Sequence, residues 1–318
     1  MIVSIDSGSS YLKFAFGDKI SVEPSLIEEV SARSSLIEKV QFKDKWYVAG
    51  KRAEQQKGEM NPDPELENFH GTDRQEIQLI YAFERNGIEG KHQAIVLSLP
   101  YDDFADQDLV KQIQGKKTFT WNNSKSEPRS VHFEQVFVVP QGVGALALYQ
   151  ETEKKTPKLL TLVDIGSCTT DVVSVVWDAE DNTYIFKEKL CTSLKDISTS
   201  VFMRKLRDKI NEKRPVPIRI GYHELDRAIR NGKYIIQVGS QEIDFKEHFE
   251  GVKVKFTQEL STKLEELLGD AWRASNEVVL AGGGAAFVNE WDCERRTTRM
   301  DGLANVKGQI LAIREMLQ

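Results

Sequence analysis

Leu160-Thr161-Leu162-Val163-Asp164-Ile165-Gly166-Ser167-Cys168-Thr169-Thr170-Asp171-Val172-Val173 is an apolar run, a small-residue turn and a second apolar run, and its pattern occurs twice in the chain. The other copy opens the sequence: Ile2-Val3-Ser4-Ile5 leads into Asp6-Ser7-Gly8-Ser9-Ser10, and Lys13 precedes Phe14-Ala15-Phe16. From Asp6 to Asp164, Gly8 to Gly166, Ser9 to Ser167 and Lys13 to Asp171 the offset is a constant 158 positions. No gap is needed to superpose the copies, which points to an internal duplication.

Each copy reads as strand, tight turn, strand, because β-rich apolar residues flank a Gly/Ser/Thr turn too short for a helix. Glycine there permits a close backbone approach, and the exposed N–H groups and hydroxyls face a concavity suited to phosphate. An aspartate would repel phosphate, so Asp6 and Asp164 are expected to meet a divalent cation; Mg²⁺ prefers carboxylates reached through retained waters. Lys13 follows closely enough to supply a charged donor, whereas the second copy carries Asp171 at that position. A lone D-x-G-S between strands is more often only a turn; its ungapped recurrence is what favours nucleotide binding.

At 318 residues the chain exceeds the usual single-core size. Two lobes are expected, residues 1–155 and 156–302, with a closing helix at 303–318 returning to the first. A net charge of −6 and a pI near 5.6 argue against direct nucleic-acid binding, which depends on clustered Lys and Arg. No apolar stretch approaches the roughly 20 residues of a membrane helix, and Met1 leads straight into the first strand, so a cytoplasmic location is expected. Cys168, Cys191 and Cys293 are widely spaced and fit a reducing compartment. The histidines at 70, 92, 132, 223 and 248 have no metal-ligand spacing and read as ordinary surface or core residues.

The rest of the chain alternates strands and helices. A strand pair is expected over 40–50, a polar loop over 51–71, a helix over 73–85 and a strand over 94–99. A polar hairpin follows at 111–130, then a strand over 136–139 closed by Pro140-Gln141. A helix opens at Gly142, Gly144 and Ala145, and 151–157 links the halves. In the second half, helices are expected over 196–209, 256–268 and 303–317, a strand over 278–281, and Gly282-Gly283-Gly284 as a turn into a further helix; 222–249 is mixed and poorly specified. Small residues at Gly142 and Ala145, and at Ala304 and Gly308, predict a close crossing of two helices at a hinge.

The order of these features resembles the superfamily of actin, sugar kinases and chaperone ATPases over essentially the whole chain. It is most similar to plasmid-segregation actins of the ParM (StbA) type, on Ile5-Asp6-Ser7-Gly8-Ser9 with Lys13, Val163-Asp164-Ile165-Gly166 with Thr169-Thr170-Asp171, and Leu303-Ala304-Asn305-Val306-Lys307-Gly308. The resemblance implies an α/β, two-lobed, ribonuclease H-like duplicated ATPase fold, with ATP and Mg²⁺ in a cleft between the lobes and filament assembly controlled by hydrolysis. It implies that Asp6 holds the metal's water shell and that Gly8, Ser9, Ser10 and Lys13 bind the β- and γ-phosphates. Asp164 would orient metal-bound water, while Gly166, Ser167 and Thr169 close on the phosphates from the other lobe. Gly282, Gly283 and Gly284 would admit the adenosine, and Gln141 would position the attacking water. Base and ribose contacts within 222–263 stay unassigned, and adenine is inherited from the resemblance. The implied partners are further copies of the chain and a DNA-binding adaptor. The alternative is a small-molecule kinase, which needs a general base in the first lobe; Asp102, Asp103 and Asp106 are the only cluster there, and they read as a helix N-terminal cap.

Overall fold

The computed structural model describes residues 1–34, 38–57, 69–212, 214–290 and 296–317. Among these, two compact units can be separated: residues 1–57, 69–151 and 303–317 form one, and 152–302 the other.

The first unit begins with β1 (Ile2–Ser7), β2 (Tyr11–Phe16), β3 (Lys19–Pro24), β4 (Ile27–Val30), β5 (Val40–Phe42) and β6 (Lys45–Ala49), followed by helices α1 (Gly50–Lys57) and α2 (Asp73–Asn86). Next come β7 (Gly90–Leu99), α3 (Tyr101–Ala105), α4 (Gln107–Gly115), β8 (Thr118–Asn122), β9 (Pro128–Pro140) and α5 (Val143–Glu153). The sheet runs β3-β2-β1-β7-β9-β8-β5-β6-β4. β1 and β7 are interior, parallel neighbours, Val3 opposite Ile95 and Ile5 opposite Leu97, and those four side chains are buried. Such a strand is covered on both faces and so reads as a continuous apolar run. α2 has acidic residues in its first turn and ends at Gly87 in the left-handed conformation, where Ile88 N–H donates to Phe83 O at 2.9 Å.

The second unit contains β10 (Leu159–Ile165), β11 (Thr170–Asp178), β12 (Thr183–Phe186), β13 (Thr192–Leu194), α6 (Thr199–Asn211), α7 (Tyr222–Arg230), β14 (Ile235–Val238) and β15 (Gln241–Asp244). It continues through α8 (Lys246–Leu268), α9 (Asp270–Ala274), β16 (Glu277–Ala281) and β17 (Arg296–Arg299). Its sheet runs β12-β11-β10-β16-β17, with β13 added beside β11. Chain direction along this path is antiparallel, antiparallel, parallel, parallel, the same as along β3-β2-β1-β7-β9. The duplication read from fourteen residues therefore extends to five strands in each unit. α6, α7 and α8 enclose a core of Phe202, Tyr222, Phe249, Phe256 and Leu260. The last helix, α10 (Ala304–Met316), belongs to the first unit and packs on β1, β2 and β7.

Several elements differ from the sequence expectation. Residues 107–115 form α4, so the polar hairpin begins only at Thr118; Asp106 starts the helix by accepting from the amides of Asp108 and Leu109. Residues 51–57 are helical rather than loop, and 58–68 of that expected loop lie outside the described residues. α6 starts at Thr199 because Ser198 caps it, not at 196. α8 begins ten residues before the expected 256. Only a single turn of 3₁₀ helix, Ala285–Phe287, follows the glycine triplet. Cys293 lies outside the described residues, while Cys168 and Cys191 are free thiols.

Candidate functional site

The two acidic turns are built alike. Asp6 pairs across the hairpin with Lys13, and Asp164 pairs with Asp171 at the same register. A Cβ at Gly8 would stand 3.1 Å from Tyr11 O, and one at Gly166 would stand 2.9 Å from Thr169 O. Both glycines thus close the same tight loop at positions related by the repeat; a Cβ at Gly166 would require the backbone to shift, and one at Gly8 would require Tyr11 O to give by a few tenths of an ångström.

In the first unit the Asp6 carboxylate is 3% exposed and takes two donors: Lys13 Nζ at 2.8 Å and Ser98 Oγ at 3.2 Å. Ser25, just beyond β3, holds the turn from behind, donating its N–H to Ser10 O and its hydroxyl to Gly8 O. Gly8 and Ser9 are at the partly exposed tip, whereas Ser10 is buried. Ser7 Oγ accepts from Gln75 Nε2 at 3.0 Å, and the same amide lies 3.2 Å from His70 Nδ1. His70 Nε2 is 4.0 Å from Asp103 Oδ2. Burial holds the His70 pKa down to about 4 against the opposing pull of Asp6, so this imidazole is neutral at physiological pH. No sequence pattern marks His70, because its role comes from the fold of 69–75 against β1.

Gln141 connects β9 to α5 and is 9% exposed; its N–H donates to Leu99 O at 2.6 Å. Its side-chain amide bonds to none of the described residues, leaving both ends available to water.

In the second unit the turn is fastened by α6. Thr199 N–H donates to Gly166 O at 2.9 Å and Ser200 N–H to Ser167 O at 3.0 Å. Asp171 is fully buried and accepts the hydroxyls of Ser193 and Thr169, so it serves as an internal clasp of the turn rather than an additional outward carboxylate. The glycine triplet packs directly on this turn. Gly284 N–H donates to Ile165 O at 2.9 Å, and a Cβ at Gly282 would stand 2.2 Å from Asp164 Oδ1. Asp164, Gly166, Ser167, Thr169 and Gly282–Gly284 are therefore one cluster. α7 borders it: Tyr222 Oη is 2.9 Å from Thr199 Oγ1, and Arg230, held by the buried Asp226 at 2.8 Å, reaches Gly283 O at 3.4 Å. Asp226 and Arg230 are opposite charges four apart on one helix face, the spacing at which such pairs meet.

No group of three His, Cys, Asp or Glu side chains able to hold a metal lies among the described residues. A cation at either turn would take most of its ligands from water and phosphate, the shell Mg²⁺ keeps. The tight glycine loops, carboxylates and hydroxyls suit that group.

Residues 4–144 match the family of actin-like protein N-terminal domains, and residues 162–291 match the C-terminal domain of archaeal MreB-like actin homologues. The whole chain superposes on a subunit of a 15-stranded ParM filament from Clostridium botulinum with a TM-score of 0.77 at 18% identity, covering 99% of both chains. An archaeal actin homologue superposes with a TM-score of 0.79 at 16% identity, and its ADP complex with 0.74 at 16%, each covering 99% of both chains. No curated protein sequence matches the chain. With the acidic hairpin and its strand order present twice, and actin-like domain models matching both halves in sequence, the chain belongs to the actin-like proteins.

Proposed function

We propose that the protein binds ATP with Mg²⁺, assembles into filaments in the ATP-bound state and disassembles after hydrolysis, moving DNA through a DNA-binding adaptor. The observation that carries this reading is the pair of like-built acidic turns, each closed by a glycine whose Cβ site lies against a carbonyl of its own turn. The ParM filament and the ADP complex among the structural neighbours support it. Lys13 and the amides of Gly8 and Ser9 meet the terminal phosphates, while Asp6 orders metal-bound water. Gly166, Ser167 and Thr169 offer the second set of donors, Asp164 orients water, and the glycine triplet beside Arg230 takes the nucleoside. Bound Mg²⁺ supplies neutralisation of the charge that develops on the phosphates. Gln141 orients the attacking water with its unengaged amide, which is a poor base but a good hydrogen-bonding guide.

A phosphotransferase reading draws on Asp103, whose carboxylate lies near His70 and so near the first turn. Light scattering after adding ATP and Mg²⁺ separates the two. A rise followed by decay as phosphate appears supports filament turnover. A flat trace, with ATP consumed only when a small hydroxylated or acidic acceptor is present, would replace the filament with a kinase.

A further inference from the structure

Among the described residues Gln141 has no side-chain partner to aim it, so its direction is set by the backbone on either side. Before it, the N–H bond to Leu99 O fixes the end of β9. After it, Gly142 turns the chain at φ +94°, a conformation that disfavours side chains, and α5 begins one residue later. The first amides of a helix need acceptors, and a side chain just ahead of the helix usually supplies one. Here the acceptor comes from the other end of the sequence. Asn305 Oδ1 accepts from Gly142 N–H and from Ala145 N–H, both at 3.2 Å, and Asn305 is 4% exposed.

The helix bearing Asn305 has no freedom to slide. A Cβ at Gly144 would stand 2.0 Å from Asn305 O, and one at Gly308 would stand 1.7 Å from Gly144 O. α5 and α10 therefore touch backbone to backbone. One helical turn beyond Asn305, the buried Gln309 accepts from Ser4 Oγ at 2.6 Å, which ties α10 to β1 beside the Asp6 turn. A chain of contacts runs from β1 through Gln309 and Asn305 to the residue that follows Gln141.

We propose that Asn305 is the positioning residue for Gln141: it caps α5 from α10, and in doing so sets where the water-guiding amide points. The proposal rests on the hydrolytic reading above, and its test keeps the two apart. In the nucleotide-free protein, hydrogen exchange at the Gly142 and Ala145 amides should speed up in Asn305→Ala and stay near wild type in Asn305→Asp, which keeps the acceptor. With ATP and Mg²⁺, Asn305→Ala should lower kcat about tenfold while nucleotide Kd moves by less than about twofold, since misplacing a catalytic group by less than an ångström has effects of this order. Asn305→Asp should remain within about threefold of wild type. The double variant Asn305→Ala/Gln141→Ala should be no slower than Gln141→Ala alone, because residues acting through one another are not additive.

Additive losses in the double variant, or wild-type kcat in Asn305→Ala beside a slow Gln141→Ala, overturn the proposal and leave the hydrolytic reading standing. Wild-type hydrolysis in Gln141→Ala removes both. If Asn305→Ala does not fold, Asn305→Ser takes its place, its hydroxyl being too short to reach both amides. A folded Asn305→Asp that hydrolyses as slowly as the Ser variant also overturns the assignment.

Discussion

What a side chain does in this molecule is decided by what faces it, not by its place in the repeat. Lys13 and Asp171 occupy equivalent positions, yet Lys13 pairs with Asp6 at 2.8 Å while Asp171 is enclosed by the hydroxyls of Ser193 and Thr169. The same principle gives His70 and His223 a measurable signature. Burial holds both imidazoles at about 4, chiefly by desolvation, against the pull of Asp6 on His70 and of Asp226 on His223; Arg227 and Arg230 push the latter further down. An unfolded histidine titrates near 6.5, so below that pH the unfolded chain binds protons that the native state refuses. Stability is thus full above about pH 6.5 and is lost as the pH falls toward 4, by roughly 2 kcal/mol per histidine at pH 5. His70→Gln should remove one histidine's share of that slope in thermal melts between pH 7 and 5. A variant whose melting temperature tracks wild type at every pH would show that His70 is not held neutral.

At the level of elements, legibility followed from how locally each one is specified. β1, β10 and β16 are buried apolar runs and could be read directly, as could both hairpins, whose turn residues lie within the pattern itself. α7 and the first half of α8 could not. Neither has a side-chain cap to mark its start, and α7 buries His223 and Asp226 beside its apolar Leu225 and Ile229. The helix crossing was foreseeable from its small residues, but the nearest approach is made by Gly144 against Gly308 rather than by Gly142 and Ala145, since only the fold decides which positions meet. That contact predicts a sharp contrast between two glycines. Gly308→Ala must push α5 and α10 apart and should destabilise by about 3 kcal/mol or more, beyond ordinary overpacking because backbone atoms are what stand in the way. Gly251, within α8, has nothing within 4 Å of its Cβ site, and Gly251→Ala should stabilise by about 0.5–1 kcal/mol. Urea unfolding of both variants checks the pair; equal effects would mean the crossing yields more easily than its geometry indicates.

For the whole molecule, the duplication is unequal, and the inequality bears on how a nucleotide state could be timed. Both five-strand motifs end in a strand, a glycine and a helix, β9-Gly142-α5 and β17-Gly302-α10, yet α10 packs in the first unit rather than the second. The turn of the first unit presents a lysine beside its aspartate, and the turn of the second carries a buried clasp and leans on the glycine triplet. Equivalent positions thus have different chemistry, and in the proposed ATPase Asp6 with Lys13 serves binding while Asp164 serves hydrolysis. Asp164→Asn tests that division, because the amide keeps the shape against which Gly282 packs while removing the charge. Filaments of this variant should form on adding ATP and Mg²⁺, with phosphate release slowed about tenfold or more, the scale expected when one group stabilising a developing charge is lost. Scattering should then hold at its plateau instead of decaying. Decay at the wild-type rate, with phosphate release slowed, would separate disassembly from hydrolysis; a variant that never assembles would move Asp164 from hydrolysis to binding.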